Sequence, residues 1–223
     1  MNYIYLILIV IIVFLLMIAF YKFGKKDGLY LYISFMSILL SILMFKSIDV
    51  LSFEVDLGIP FLMGIFVCSN VIVQRYGIDE IKDIIKSFVI PYLIVFFILG
   101  LVGLISSSEY NVITSDAYNE LFGYNLENLR LSIGALLSIS FTLWYNSYIY
   151  YYIRKSKNKY LISNVGSMLV IQFLESIIFV FISYVGIFDV NMVFGVIVIR
   201  YLLKIVIGLI GLFPFMAVLK MKS

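Results

Sequence analysis

The stretch YIYLILIVIIVFLLMIAFY, residues 3–21, contains no charged side chain. A helix of about 20 apolar residues crosses the roughly 30 Å hydrocarbon core of a bilayer, so this stretch predicts a transmembrane helix. The rest of the chain has the same character, because 64% of its 223 residues are hydrophobic and only 13% are charged. A soluble domain has about 45–50% apolar and about 25% charged residues. The composition therefore predicts an integral membrane protein.

Apolar stretches of similar length recur along the chain. Together with the first, they lie near 3–21, 29–48, 57–74, 86–105, 129–153, 160–184 and 190–219. A backbone in lipid must satisfy its own hydrogen bonds, and stretches of this length do so as helices. We expect an all-α membrane protein, a polytopic bundle of about six to seven transmembrane helices that forms one domain over residues 1–223.

The first stretch has the length of a signal peptide but lacks its other features. Met1 to Tyr5 contains no basic side chain, and no small-x-small cleavage site precedes Lys22. A secretory signal has both features. We therefore expect residues 1–24 to remain in place as an extra N-terminal helix.

The connecting segments alternate in the sign of their charge. The basic segments contain Lys22, Lys25, Lys26, Arg75, Lys82, Lys86, Arg154, Lys155, Lys157, Lys159, Lys220 and Lys222, with Asp79, Glu80 and Asp83 mixed into the second of them. The acidic segments contain Asp49, Glu54, Asp56, Glu109, Asp116, Glu120, Glu127 and Asp189. Since Lys and Arg remain on the cytoplasmic side, the pattern predicts an external N-terminus and a cytoplasmic C-terminus in the plasma membrane of a prokaryote.

A tyrosine cluster precedes the basic segment 154–159. Its members are Tyr148, Tyr150, Tyr151 and Tyr152. Rings with a polar tip are favoured at the lipid headgroups, so we interpret the cluster as an aromatic belt rather than a substrate-stacking surface.

Charged and amide side chains also occur inside the predicted spans. Glu175 lies in the middle of the sixth span, with Gln172 on the same helical face and Asn164 near the same stripe. Arg200 and Lys204 are four residues apart in the seventh span and share a face. A charge near the bilayer centre costs about 2.5–3.5 kcal/mol on insertion scales, so these residues are candidates for function. A structural ion pair of Glu175 with either cation is the alternative interpretation.

Smaller polar residues line other spans. Ser138, Thr142 and Asn146 form one stripe on the fifth span, and Ser69, Asn70 and Gln74 lie at the inner end of the third. Such residues often serve only as hydrogen bonds between helices. Lys46, near the outer end of the second span, is expected to extend its ammonium to the interface. Polar groups on at least four spans favour a cavity for a polar small solute.

The sequence lacks the residues that most catalytic and metal sites need. It has no His and one Cys, Cys68, and no Gly-rich phosphate loop followed by Lys and Ser or Thr. We therefore expect no enzyme activity, no catalytic residue, no metal, no cofactor and no nucleic-acid partner. The expected partners are a small-molecule substrate and the lipid bilayer, with a homo-oligomer or an energising partner left open.

Several segments, in order over roughly residues 40–219, are similar to one family. The first is Cys68–Val71, followed by Arg75-Tyr76-Gly77. The second is Leu121-Phe122-Gly123, followed by Arg130 and the helix Thr142–Arg154. The third is Asn164–Phe179, which contains Gln172 and Glu175, and the last consists of Tyr201, Lys204 and Pro214. The ordered set resembles the queuosine-precursor transporters, vitamin-uptake-like membrane proteins that import 7-deazaguanines. The chain departs from the family pattern where Asn70 and Asn146 replace Asp and Glu175 replaces Asp.

The resemblance implies an importer of queuine or related 7-deazaguanines, with residues 29–219 as the family-like core. It implies a substrate site of Glu175, Gln172, Asn70, Asn146, Lys204, Arg200 and Asn164. Three alternatives stay open at this point: a substrate-capturing vitamin or nucleobase uptake subunit with a separate ATPase module, an intramembrane enzyme, and a non-transporting assembly subunit.

Overall fold

The computed structural model describes residues 2–51, 53–106, 112–157 and 159–221, which leaves the predicted loop charges Glu109 and Lys222 outside the described residues. The elements in chain order are α1 (Asn2–Leu43), β1 (Ser47–Val50), β2 (Phe53–Asp56), α2 (Ile59–Tyr76), a 3₁₀ turn (Ile78–Glu80), α3 (Ile81–Gly103), α4 (Val112–Phe122), α5 (Leu126–Lys157), α6 (Tyr160–Tyr184), α7 (Val190–Ile210) and α8 (Leu212–Lys220). The predicted all-α membrane class is confirmed. The short β1–β2 hairpin is an addition that hydropathy did not predict.

Helix α1 contains the first two predicted spans, folded back on each other. Its backbone leaves the helical region at Lys25, with φ 49° and ψ −117°. The Tyr32 hydroxyl donates to the Val13 carbonyl oxygen at 3.1 Å, although a straight helix would separate these residues by roughly 28 Å. Residues 2–24 and 26–43 are therefore two antiparallel arms, which we call the first and second arm of α1.

Within the described residues, five helical segments are long and apolar enough to cross a membrane. They are Tyr3–Leu43, Ile59–Tyr76, Ile78–Gly103, Tyr160–Tyr184 and Val190–Lys220. The first segment contains both arms of α1, and the last contains α7 and α8, which meet at Gly211. Helix α5 is 32 residues long but more polar, and it packs along α6. With α5 included, the described residues make the seven crossings that the sequence predicts.

These crossings sort the charged loop residues onto two ends of the bundle. We call the end with the β1–β2 hairpin the hairpin face, and the end with the turn at Lys25 the basic face. The basic face contains Lys22, Lys25, Lys26, Arg75, Lys82, Lys86, Arg154, Lys155, Lys157, Lys159 and Lys220. The hairpin face contains Asp49, Glu54, Asp56, Asp116, Glu120, Glu127 and Asp189, together with two cations, Arg130 near the start of α5 and Lys46, which is exposed there as expected.

The hairpin is attached to α7 and to the start of α2. The two strands pair antiparallel, with Ser47 opposite Asp56. The Phe53 ring lies where a side chain on Gly195 would be, so glycine allows this close contact with α7. The Gly58 backbone N–H donates to Asp56 Oδ1 at 3.0 Å, which fixes the carboxylate at the start of α2.

Side chains of α2 hold the basic face together. Arg75 Nη2 donates to the carbonyl oxygens of Val218 at 2.6 Å, Leu219 at 3.1 Å and Met221 at 2.5 Å. The last carbonyls of a helix lack partners within the helix, so Arg75 both satisfies and anchors the end of α8. The Arg75 guanidinium also lies 4.8 Å from the centre of the Tyr21 ring on the first arm.

The tyrosine cluster is only partly at the surface. Tyr148, Tyr151 and Tyr152 are exposed, as a belt requires. Tyr150 is buried, and its hydroxyl donates to Gln74 Oε1 at 2.7 Å. Tyr150 therefore connects α5 to α2 and does not belong to the aromatic belt.

We expect Gly64→Ala to destabilise the contact between α1 and α2. A Cβ on Gly64 meets the Tyr32 hydroxyl and comes within 2.7 Å of Val13 Cγ1, so both arms of α1 must shift. Overpacking of this kind costs about 1–3 kcal/mol. Thermal unfolding in detergent should show a lower midpoint for Gly64→Ala. The matched control is Gly24→Ala, where nothing lies within 4 Å of the added Cβ, and equal midpoints for the two variants would contradict the packing.

Candidate functional site

Four charged side chains form a continuous network inside the bundle. Lys204 pairs with Glu175 Oε2, and Arg200 pairs with Asp56 Oδ2. Arg200 Nη2 lies 4.0 Å from Glu175 Oε1, which joins the two pairs. Glu175 and Lys204 are 0% exposed, Arg200 is 2% and Asp56 is 7%. Two carboxylates and two cations balance, so the buried network has no net charge.

Neighbouring side chains also contact this charged network. The Ser138 hydroxyl donates to Glu175 Oε1 at 3.2 Å, and Lys204 Nζ donates to Ser176 Oγ at 2.9 Å. The Arg200 guanidinium carbon lies 4.0 Å from the centre of the Phe179 ring, a cation–π contact. Helices α5, α6 and α7 all contribute, so the charged network depends on their mutual packing.

Two members of this cluster were missed by the sequence analysis. Asp56 was assigned to an external loop, but it ends β2 with its carboxylate turned toward α7. The alternating residues 47–50 and 53–56 are typical of two short strands, and that pattern could have revealed the hairpin. Ser176 adjoins Glu175 in the sequence, but its contact with Lys204 depends on the packing of α6 against α7.

Three asparagines form a second cluster nearer the basic face. Asn70 Nδ2 donates to Asn164 Oδ1 at 2.5 Å, and Asn146 Nδ2 donates to Asn70 Oδ1 at 2.8 Å. Asn146 Nδ2 also donates to Ser69 Oγ at 3.3 Å. This asparagine triad joins α2, α5 and α6 through neutral hydrogen bonds.

Gln172 lies between the two clusters. It is 0% exposed, and neither its Nε2 nor its Oε1 has a hydrogen-bond partner among the described residues. Along α6 it is about 4.5 Å from Glu175 and about 12 Å from Asn164. Buried polar groups are nearly always hydrogen-bonded, so Gln172 is a free donor and acceptor beside the charged network.

The structure thus brings together only part of the predicted site. Glu175, Arg200 and Lys204 form one cluster with Gln172 one turn away along α6, and the asparagine triad lies about two turns beyond Gln172 and about three turns from Glu175. A single small solute does not contact both clusters in this conformation. Ser138, Thr142 and Asn146, the predicted stripe on α5, are all buried and run from one cluster to the other.

A cavity opens at each end of this polar column. The hairpin-face cavity is about 330 Å³ and is lined by Met44, Phe45, Ser47, Glu54, Asp56, Glu127, Leu131, Ser183, Tyr184, Ile187 and Phe188. The basic-face cavity is about 430 Å³ and is lined by Val73, Gln74, Gly77, Tyr150, Tyr151, Arg154 and Lys155. Small-molecule sites are typically about 300–1,000 Å³. The side chains of the two polar clusters are buried and lie between these cavities.

A polytopic helical bundle with buried polar clusters between two cavities is the class of structure that small membrane transporters have. Residues 56–219, about three quarters of the chain, match the family described as "Putative vitamin uptake transporter", and the chain belongs to that family. It is 26% identical over 205 residues to the "Probable queuosine precursor transporter" of Bacillus subtilis (strain 168). The aligned residues are 91% of this chain and 88% of the relative. No solved structure shows significant similarity to the chain.

These comparisons confirm the family resemblance predicted from the sequence. A transporter family also implies a small-molecule substrate and a multi-pass membrane protein, and it points away from an enzyme. The division of the chain into an extra N-terminal helix, residues 1–24, and a family-like core, residues 29–219, stays a prediction. The assignment of each residue to the substrate site also stays a prediction.

We expect Lys204→Met to destabilise the protein by leaving Glu175 buried without its cation. Breaking one partner of a buried pair costs about 3–5 kcal/mol. The double variant Glu175→Gln/Lys204→Met removes both charges and should recover much of the loss. Membrane abundance and thermal unfolding in detergent measure both effects. Lys220→Met, an exposed lysine on α8, is the control, and a double variant no more stable than Lys204→Met would contradict the pairing.

Proposed function

We propose that this protein imports queuosine precursors, queuine or related 7-deazaguanines, into the cytoplasm. Family membership and the name of the Bacillus subtilis relative support a queuosine precursor as substrate. The observation that carries the assignment of the site is Gln172, a buried amide without a partner beside a balanced charged network. A solute that has both a hydrogen-bond acceptor and a donor can satisfy the Nε2 and Oε1 atoms of this buried amide.

The substrate has the complementary hydrogen-bonding groups. A 7-deazaguanine presents N1–H and N2–H₂ donors side by side, and a carboxylate accepts such a pair through both oxygens. Its O6 accepts from a cation or an amide. Glu175 meets the donor edge, and Lys204, Arg200 or Gln172 meets O6. The base thus replaces one partner of an ion pair, and no buried charge is left without a hydrogen bond.

The transport path follows the polar column from face to face. A solute enters the hairpin-face cavity, passes Asp56 and binds at Glu175 and Gln172. The asparagine triad closes the path on the other side, above the basic-face cavity. Asn70 and Asn146 occupy positions where the family pattern has Asp. The triad therefore binds the N1–H and N2–H₂ donors of a base through neutral amide groups and without a carboxylate. Weaker binding there favours release from the basic face.

The proposed orientation in the membrane rests on the charge of the two faces. Lys and Arg loops remain in the cytoplasm, so the basic face and the C-terminus are cytoplasmic, and the hairpin face and the N-terminus are external.

Cysteine labelling in whole cells tests this orientation, because the native Cys68 is buried. An impermeant maleimide should label Asp49→Cys in intact cells and Lys155→Cys only after permeabilisation. Both positions are exposed, one on each face. The reverse labelling pattern would overturn the proposed orientation.

Uptake of a labelled 7-deazaguanine in cells that cannot synthesise queuosine tests the function. Gln172→Met keeps the side-chain length but removes a hydrogen bond to the substrate, which is worth about 0.5–1.5 kcal/mol, so KM should rise about twofold to tenfold. Because Gln172 has no partner in the described structure, stability and membrane abundance should stay at the wild-type level. Glu175→Gln should reduce uptake more strongly.

Glu120→Gln, an exposed carboxylate on α4, is the matched control. Absence of uptake of any 7-deazaguanine by the wild-type protein would refute the proposed substrate. Wild-type kinetics in both Gln172→Met and Glu175→Gln would instead show that the substrate binds elsewhere.

A further inference from the structure

The β1–β2 hairpin covers the buried charged network on the side of the hairpin-face cavity. Of the four charged side chains, Asp56 is the one that lines this cavity. Glu175 and Lys204 are 0% exposed and Arg200 is 2% exposed, so they lie behind Asp56. On the proposed path, a solute that enters the cavity therefore meets the pair of Asp56 with Arg200 before it reaches Glu175.

Side chains attach the hairpin to α7. The two strands pair with each other, and among the described residues no backbone hydrogen bond joins either strand to a helix. The contacts with α7 include the Phe53 ring at Gly195 and the ion pair of Asp56 with Arg200. If the hairpin leaves α7 as a unit, its strands keep their mutual hydrogen bonds, and the ion pair is the polar interaction that is lost.

Arg200 has a second carboxylate within reach. Its Nη2 lies 4.0 Å from Glu175 Oε1, and its guanidinium carbon lies 4.0 Å from the centre of the Phe179 ring. When Asp56 moves away, Arg200 therefore still has an anionic partner in Glu175. Asp56 moves toward the cavity, where water hydrates its carboxylate. Separation of this pair thus leaves neither charge buried and unpaired, which is the costly outcome for a buried ion pair.

We propose that the hairpin is the external gate of the transport path and that Asp56 is its closing residue. This inference rests on the proposed function, because it concerns access to the proposed site at Glu175. In the closed state, which is the conformation of the structure, Asp56 occupies the Arg200 guanidinium. In the open state the hairpin has left α7, and Arg200 is available to O6 of the base. Asp56 is thus a positioning residue that acts through Arg200 and does not hold the substrate itself.

A disulfide between the hairpin and α7 tests the gate. The Phe53 ring reaches the position of a Cβ on Gly195. The Cβ atoms of a Phe53→Cys/Gly195→Cys pair are therefore about one ring length apart, close to the roughly 3.5–4.5 Å of a disulfide. The native Cys68 is buried and stays in place. The matched control is Asp49→Cys/Glu54→Cys, two positions opposite each other in the hairpin. Its disulfide joins the two strands and leaves the hairpin unattached to α7.

Uptake of labelled queuine is measured for each variant after oxidation and again after reduction, and mass spectrometry verifies each disulfide. We expect oxidised Phe53→Cys/Gly195→Cys to take up queuine slower than its reduced form by about tenfold or more, because the hairpin is held on α7. The control should show equal rates in both forms. Since each variant is compared with itself, the effect of the substitutions alone cancels.

Labelling of a cysteine at the site is a second measurement, and it needs no substrate. Ser138 is buried and its hydroxyl donates to Glu175 Oε1, so Ser138→Cys reports access to the site. An impermeant thiol reagent in intact cells should label this cysteine slowly, and not at all when the hairpin is cross-linked to α7. Asp56→Asn should speed the labelling by about tenfold or more, because a neutral amide binds Arg200 less tightly. Asp49→Asn, an exposed carboxylate of the same hairpin, should have no effect.

Undiminished uptake with the hairpin fully cross-linked to α7 would overturn the gate. A loss of uptake in the oxidised control would also overturn it, because detachment from α7 would then not be the movement that matters. Labelling that is no faster in Asp56→Asn would overturn the role of Asp56. Absence of queuine uptake in the wild type, with labelling that still depends on the cross-link, would refute the proposed function and leave the gate intact.

Discussion

The structure depends on a buried network of four charges with no net charge. Asp56, Arg200, Glu175 and Lys204 connect β2, α7 and α6, and Ser138 adds α5. Each charge alone opposes membrane insertion, but together they neutralise one another. The packing of α5, α6 and α7 and the position of the hairpin therefore belong to one energetic unit. A displacement of any of these elements leaves a charge without its partner.

Much of this arrangement follows from local sequence patterns. The apolar stretches predict the helices, and the spacing of Gln172 and Glu175 and of Arg200 and Lys204 places each pair on one helical face. The ion pair of Glu175 with Lys204 combines two such faces, so it was among the interpretations that the sequence allows. Periodicity within single helices was sufficient for these predictions.

Other features could not be read from local patterns. The contact of Asp56 with Arg200 joins residues that are far apart in the chain, and a carboxylate outside an apolar stretch looks like an ordinary loop residue. The buried hydroxyl of Tyr150 depends on Gln74 of another helix, so its sequence neighbours suggested a surface belt. The asparagine triad needs three helices in register, and hydropathy contains no information about register.

The two polar clusters also differ in the interactions that must break when they open. This difference suggests the order in which they open in the proposed transport cycle. Separating the neutral asparagines forfeits hydrogen bonds worth about 0.5–1.5 kcal/mol each. Separating Glu175 from Lys204 without a replacement costs about 3–5 kcal/mol. In the proposed cycle the charged network opens when a substrate supplies the missing donors and acceptors, whereas the triad, whose partners are neutral, opens without leaving a buried charge unpaired. In that proposed cycle, substrate binding at Glu175 precedes passage through the triad, and an empty carrier keeps its path closed at the charged network.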